Sequence, residues 1–230
     1  MSGQLSELVL AGVVFVATHL GLSSSGLRSA LVKGIGERGF LAAYSIVAVI
    51  AIVWLVAAYR ASATTTQLWG PDVHLRWIAF ALMPIALISL VGGFLVRNPT
   101  AVGQEGQVQA IGEGSGMLRI TRHPFQWAVV LWATVHVVAN GDAASVVFFG
   151  SLGVTSLVGT FLIDRKKATR LGAAWQPFAA ATSNVPFAAI AAGRNRFALG
   201  ELVPAIAIGL AIYVVIVLWA HRFIGGVALT

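Results

Sequence analysis

The chain has 230 residues, of which 58% are hydrophobic and 10% charged, whereas soluble globular domains carry about 25% Asp, Glu, Lys and Arg. Fifteen basic and eight acidic residues are too few to cover a water-facing surface, so the composition excludes a soluble fold and marks an integral membrane protein. Zero cysteines exclude disulfides, thiolate metal sites, iron–sulfur clusters and cysteine nucleophiles, and any bound metal must use His, carboxylate or backbone oxygen.

Six stretches free of Asp, Glu, Lys and Arg follow one another at 8–27, 39–59, 77–96, 123–141, 143–163 and 202–221, each 19 to 21 residues long. A helix rises about 1.5 Å per residue, so each has the length that crosses a hydrocarbon core of about 30 Å. The predicted fold class is all-α: one polytopic domain over residues 1–230, built as a bundle of six transmembrane helices. The N-terminus lacks a basic region and the first window is long enough to span, so no cleavable signal peptide is expected. A seventh charge-free stretch, 171–193, contains Gln176, Pro177, Thr182, Ser183, Asn184 and Pro186. Two prolines within such a polar cluster would leave backbone groups unpaired in lipid, so this stretch is predicted to be an interfacial or re-entrant loop.

Orientation follows from the basic residues. Twelve lie in the stretches 28–38, 97–122 and 164–201, and three, Arg60, Arg76 and Arg222, lie on the opposite side. The split predicts cytoplasmic basic loops and both termini outside. It also accounts for the net charge of +7 without nucleic acid as a partner; the expected partners are membrane lipid and a small hydrophobic ligand.

Ionisable groups inside a membrane are costly and mark function by default. Two histidines qualify, His19 in the first window and His136 in the fourth. The first helix runs inward, which puts His19 about 16 Å below the outer edge, while the fourth runs outward and leaves His136 about 8 Å below it. Side chains lean toward the N-terminus of their own helix, so the gap narrows. Two imidazoles facing each other across a bundle are the arrangement that axially ligates a haem iron. The alternative is that each hydrogen-bonds a neighbouring helix and ties the bundle together.

Pro124 suits the first turn of the fourth helix, where its missing N–H costs nothing. Just before it, Arg119, Arg122 and His123 form a set able to bind an anion such as a carboxylate, a haem propionate or a lipid phosphate; positive-inside anchoring and a helix start are the plainer use of the same residues. Asn140-Gly141-Asp142 reads as a tight turn with Asp142 capping the fifth helix. Asp164 is the unusual member of the basic run 164–167, which otherwise suits lipid phosphates. Gly92, Gly93, Gly150 and Gly153 lie within spans, where small residues let helices approach closely. His74 and His221 fall near the outer interfaces and receive no chemical role.

Taken in order, the blocks Thr18-His19-Leu20-Gly21-Leu22-Ser23-Ser24, Gly36-Glu37-Arg38-Gly39-Phe40 with Tyr44-Ser45, Arg119-Ile120-Thr121-Arg122-His123-Pro124, His136 before Ala139-Asn140-Gly141-Asp142, Asp164-Arg165-Lys166-Lys167 and Pro186-Phe187 resemble the NnrU family of bacterial inner-membrane proteins. The resemblance runs from the first helix to about residue 194. The family takes its name from genes associated with nitrite and nitric oxide metabolism and is related to zeta-carotene isomerase, an integral membrane haem b protein. The resemblance implies a bacterial inner-membrane location. It also implies haem b held by His19 and His136, with Arg119, Arg122 and His123 as propionate or supporting contacts. A further histidine of the isomerase, after its second helix, has no counterpart in residues 60–69 here.

Arg122-His123-Pro124, an acidic residue ahead of Leu171-Gly172-Ala173-Ala174-Trp175, and the Val185-Pro186 ending are similar to membrane methyltransferases of the isoprenylcysteine and phospholipid type. There the motif helps bind S-adenosylmethionine at the cytoplasmic face. This chain lacks the usual second acidic residue and the Tyr after Arg-His-Pro, with Phe125 and Gln126 in those places. The leading expectation is therefore a haem-dependent isomerase or oxidoreductase acting on a hydrophobic ligand, or a role in nitrogen-oxide metabolism. The methyltransferase is the alternative, and a non-enzymatic membrane helper is the third reading.

Overall fold

In lipid, a charge-free run of Leu, Ala, Val and Ile must pair every backbone group within its own segment, and only a helix does so. The computed structural model describes residues 3–23, 25–62, 66–70, 73–101, 104 and 108–224. Ser24, and residues 63–65 of the stretch 60–69, lie outside the described residues.

Among those residues the chain is helical, with one isolated bridge between Gln67 and Asp142. The helices are α1 (Gly3–Leu22), α2 (Ser25–Ala61), α3 (Val73–Leu95), α4 (Val108–Ile111), α5 (Met117–Ile120), α6 (Pro124–Asn140), α7 (Ala143–Leu171), α8 (Gln176–Ala181), α9 (Ala188–Ala191), α10 (Leu199–Val215) and α11 (His221–Ile224). A 3-10 turn, Gly172–Trp175, joins α7 to α8, and a π-helical turn, Ile216–Ala220, joins α10 to α11.

Five segments among the described residues are long and apolar enough to cross a membrane: Gly3–Leu22, Gly26–Ala61, His74–Leu95, Ala143–Ala181 and Leu199–Phe223. The fourth predicted window, 123–141, is realised as α6, which has 17 residues and reaches about 25 Å, the lower limit for a span. The chain is a multi-pass helical membrane protein. Its outward faces are apolar, with Phe94 74% exposed, and these faces meet lipid.

Two local breaks shape the helices. Gly36, at φ 73° and ψ 167°, interrupts α2 and leaves 25–35 as a separate helical piece where the sequence reading expected a basic loop. Arg28 on that piece pairs with Glu37 and lies over the Phe40 ring. The stretch 171–193 does not form a single span. It divides into the 3-10 turn, α8 and α9, because Thr182 is extended at the end of α8 and Phe187 takes the left-handed conformation before α9.

The chain divides into two units, Met1–Ala79 with Trp132–Leu162, and Phe80–Leu131 with Ile163–Thr230. In the first unit Leu8, Ala11 and Phe15 of α1 recur at helical spacing and pack with Ala51, Leu55 and Ala58 of α2, Ala133 of α6, and Phe148 and Phe149 of α7. Lipid tails are as apolar as Leu, so dispersion and close fit hold these helices together more than exclusion of water does. Asp142 caps α7: the Ser145 N–H donates to its Oδ1 at 2.9 Å and the Ser145 hydroxyl to its Oδ2 at 2.6 Å. The 66–69 segment closes over the same turn, where the Leu68 N–H donates to the Gly141 carbonyl at 2.8 Å and the Trp69 indole to the Val138 carbonyl at 3.0 Å.

In the second unit a small core of Val108, Leu118, Trp175 and Phe178 gathers α4, α5 and α8. Gly209 of α10 lies so near α3 that a Cβ there would stand 2.9 Å from the Ile88 Cα, and the Tyr213 hydroxyl donates to the Phe80 carbonyl at 3.0 Å. Gly92 faces Met117 and Ala205, and Gly93 faces Pro124.

Candidate functional site

The stretch from Gly116 to Pro124 is tied down residue by residue. Gly116, at φ 54°, precedes α5, and its N–H donates to Glu201 Oε2 at 2.6 Å. Arg119 donates from Nε to the same oxygen at 2.9 Å and from a terminal nitrogen to Asn195 Oδ1 at 2.8 Å. Thr121 is extended and ends α5; its hydroxyl donates to the Asn184 carbonyl at 2.6 Å and accepts from the His123 N–H at 3.2 Å.

Arg122 is buried and closes the C-terminus of α8, donating to the carbonyls of Thr182 at 2.9 Å and Ala179 at 3.2 Å. A cation suits this end of a helix, where carbonyls are left without intrahelical partners. Another Arg122 terminal nitrogen stands 3.7 Å from Asp164 Oδ2. His123 is 0% exposed, and its Nε2 meets Asp164 Oδ1 at 2.8 Å. The Asn184 amide donates to Asp164 Oδ2 at 3.4 Å. One carboxylate on α7 thus gathers a guanidinium, an imidazole and an amide.

His123 lies in the loop between α5 and α6, outside the spans. Burial pushes its imidazole below the ordinary value; the hydrogen bond and charge of Asp164 oppose this, while the charges of Arg122 and Lys167 add to it. The neutral ring carries its proton on Nε2, since the partner there is a carboxylate. Burial likewise lowers Arg122, with Asp164 opposing. Among the described residues three buried atoms of this group have no hydrogen-bond partner: Arg122 Nε, His123 Nδ1 and Asn184 Oδ1. An unmet buried polar atom costs about 1–3 kcal/mol.

The other candidate pair lies in the first unit. His19 of α1 donates from Nδ1 to the Phe15 carbonyl at 2.8 Å, with ring centroids 4.0 Å from Phe15 and 6.1 Å from Tyr44. His136 of α6 donates from Nδ1 to the Trp132 carbonyl at 2.8 Å and stacks on Phe149 at 4.6 Å. A carbonyl only accepts, so in each neutral ring Nδ1 holds the proton and Nε2 carries the lone pair. This is the tautomer that ligates a metal through Nε2, with the backbone fixing the ring. Phe15 and Phe149 belong to one core cluster and Trp132 packs against it, so both histidines border the same apolar cluster. Among the described residues no three His, Asp or Glu gather as a metal-binding group. Two imidazoles with Nδ1 held by backbone are donors of the type that haem iron takes.

Comparison with known proteins places the chain. The family profile described as "NnrU protein" matches residues 7–229. The chain belongs to the NnrU family. It is similar to the chloroplastic 15-cis-zeta-carotene isomerase of Zea mays, with 28% identity over 201 residues covering 82% of this chain and 51% of the relative. The isomerase of the same name from Arabidopsis thaliana is 31% identical over 198 residues, 80% of this chain and 50% of that protein. The NnrU chain therefore spans about half the length of these curated relatives. No solved structure matches it.

The residues singled out from the sequence fall into two groups within this NnrU protein. His19 and His136 belong to one unit, and Arg119, Arg122 and His123 to the other. The basic trio does not share one cradle, since Arg119 is taken up by Glu201 and Asn195 while Arg122 and His123 meet at Asp164. Sequence reasoning missed Asn184 and Glu201. It noticed Asp164 as the one acid in a basic run but not its partners. Histidine-free residues 66–69 are bound to the turn after α6.

Proposed function

We propose that the protein binds haem b, which His19 of α1 and His136 of α6 would hold, and acts by isomerase or redox chemistry on a hydrophobic ligand of the carotene kind. The observation that carries this reading is the shared tautomer, Nδ1 held by a carbonyl four residues back in both rings. Bound haem supplies a redox-active iron. The chain's own residues orient the two imidazoles, with Phe15 against the His19 ring and Trp132 and Phe149 against the His136 ring. The names of the relatives support the isomerase direction, and the family's name supports a link to nitrogen-oxide metabolism. Membership of the family supports a bacterial inner-membrane location, and the distribution of basic residues supports both termini in the periplasm.

The test is the visible spectrum of detergent-purified protein made with haem supplied. A strong haem absorption band is expected in the wild type and its loss in both His19→Ala and His136→Ala. A colourless wild type overturns the proposal. Retention of the band in both variants overturns the ligand assignment.

A further inference from the structure

Arg28 and Phe40 stand twelve positions apart in α2, which would be about 18 Å along a straight helix. A helical side chain also leans toward its own N-terminus, which in a straight helix would aim Arg28 away from Phe40. The Arg28 guanidinium carbon nevertheless lies 5.1 Å from the centre of the Phe40 ring, and Arg28 pairs with Glu37 on the far side of the break. The chain therefore turns sharply at Gly36, whose φ of 73° and ψ of 167° are far from helical values. Residues 39–59 are charge-free and as a helix about 30 Å long, so they cross the bilayer unaided. The piece 25–35 is left at the end of that span with no thickness to cross.

This piece has two unlike faces. Leu27, Leu31 and Ile35 recur at every fourth residue and share one face, and they are 48%, 36% and 54% exposed. Ser29 and Lys33, both exposed, stand about 160° around the helix from the centre of that face. An apolar stripe that the protein leaves open, opposite a polar and basic face, is the pattern of a helix lying in a bilayer interface. The charge is one-sided as well. Residues 25–40 hold Arg28, Lys33 and Arg38 against Glu37 alone. Arg28 takes up Glu37, while Lys33 and Arg38 are exposed and form no ion pair among the described residues.

We propose that residues 25–35 form a surface helix in the headgroup layer of the leaflet where α2 begins, with Leu27, Leu31 and Ile35 in the acyl region and Lys33 and Arg38 on the phosphates of anionic phospholipids. Continuity with a span already in lipid names the occupant of the open stripe, and the two unpaired cations name the headgroup. Each basic side chain near an anionic surface adds about fivefold to the attraction. Arg28 holds the bend through Glu37 and Phe40, so the piece is kept at its angle to the span rather than continuing it.

The chain has no cysteine, so single Cys substitutions place one nitroxide at a time on the full chain in vesicles of mixed phosphatidylcholine and phosphatidylglycerol. Labels at Leu27→Cys, Leu31→Cys and Ile35→Cys should be reached by oxygen, shielded from a water-soluble nickel chelate and alike in depth. A label at Ser29→Cys should show the reverse access. Nickel access at all four positions overturns the proposal. A depth that changes steadily by about 6 Å from each apolar position to the next also overturns it, because that is a continuing span.

The headgroup is tested with a fluorophore at Ile35→Cys, quenched by acyl-brominated phosphatidylglycerol or, at the same proportion, by acyl-brominated phosphatidylcholine. The anionic lipid should quench more strongly, and the excess should be lost when Lys33→Gln and Arg38→Gln are combined. Equal quenching by the two lipids overturns the preference for anionic headgroups. An excess that survives the double substitution overturns its assignment to Lys33 and Arg38.

Discussion

His123 donates from Nε2 to Asp164 Oδ1 at 2.8 Å, so a carboxylate on α7 holds the loop that opens α6. Asp164→Ala strands the imidazole donor and removes the counter-charge of Arg122, and the expected loss is about 1–3 kcal/mol. Asp164→Asn keeps an acceptor for Nε2–H but loses the charge and the second acceptor, which faces Asn184 and Arg122. Thermal unfolding in detergent should rank the midpoints wild type, Asn, Ala in falling order, and equal midpoints would remove Asp164 from this role.

Acidification should lower stability through the same ring, because its charged form is buried. Folded His123 sits below its ordinary value of 6.5 because burial, with the charges of Arg122 and Lys167, outweighs Asp164. The unfolded chain therefore takes up a proton at a higher pH than the folded chain does. Stability from the neutral ring is full above about pH 6.5 and is lost as pH falls through the folded value. The unfolding midpoint should drop between about pH 7.5 and 5.5 in the wild type and drop less in His123→Gln. Parallel profiles would show that other groups set the dependence.

Two glycine substitutions should separate close packing from mere flexibility. A Cβ at Gly209 stands 2.9 Å from the Ile88 Cα and 3.0 Å from the Ile88 backbone nitrogen, neither of which can rotate away, whereas a Cβ at Gly150 meets nothing within 4 Å. Gly209→Ala is expected to cost about 1–3 kcal/mol through overpacking, and Gly150→Ala to be neutral or mildly stabilising. Detergent unfolding of the two variants checks the contrast.

The cap on α7 is open to a similar measurement. Asp142→Ala removes the acceptor for the Ser145 N–H and hydroxyl, and loss of an N-cap costs about 0.5–2 kcal/mol. Asp142→Asn keeps one acceptor and should recover much of the midpoint. Unchanged unfolding in Asp142→Ala would show that the turn stands without its cap.

Much of this architecture was legible because lipid allows little choice. Charge-free runs of about 20 residues become helices, and Asp142 caps α7 as a Ser, Thr, Asp or Asn before an apolar run is expected to do. Gly36 was harder to read, since a left-handed residue inside α2 turns an expected loop into a second helical piece. Only spatial neighbours reveal where Arg122 is held, because the acceptors at Ala179 and Thr182 stand 57 and 60 residues along the chain. Of the two candidate sites, the membrane histidines could be found from their cost in lipid. The Asp164 cluster could not, because Arg122, His123 and Asn184 lie in loops between helices and Asp164 in the basic last turns of α7, where charge is ordinary.

The pairing of Arg119 with Glu201 across 82 residues also sets an order of assembly. At a synthesis rate of about 5–20 residues per second, Arg119 waits roughly 4–16 s for its carboxylate to be made, and Asn195 arrives only shortly before it. During that interval a guanidinium destined for burial has only water or lipid headgroups to satisfy it. Until residue 201 has been made, the loop that carries Arg119 therefore stays untied.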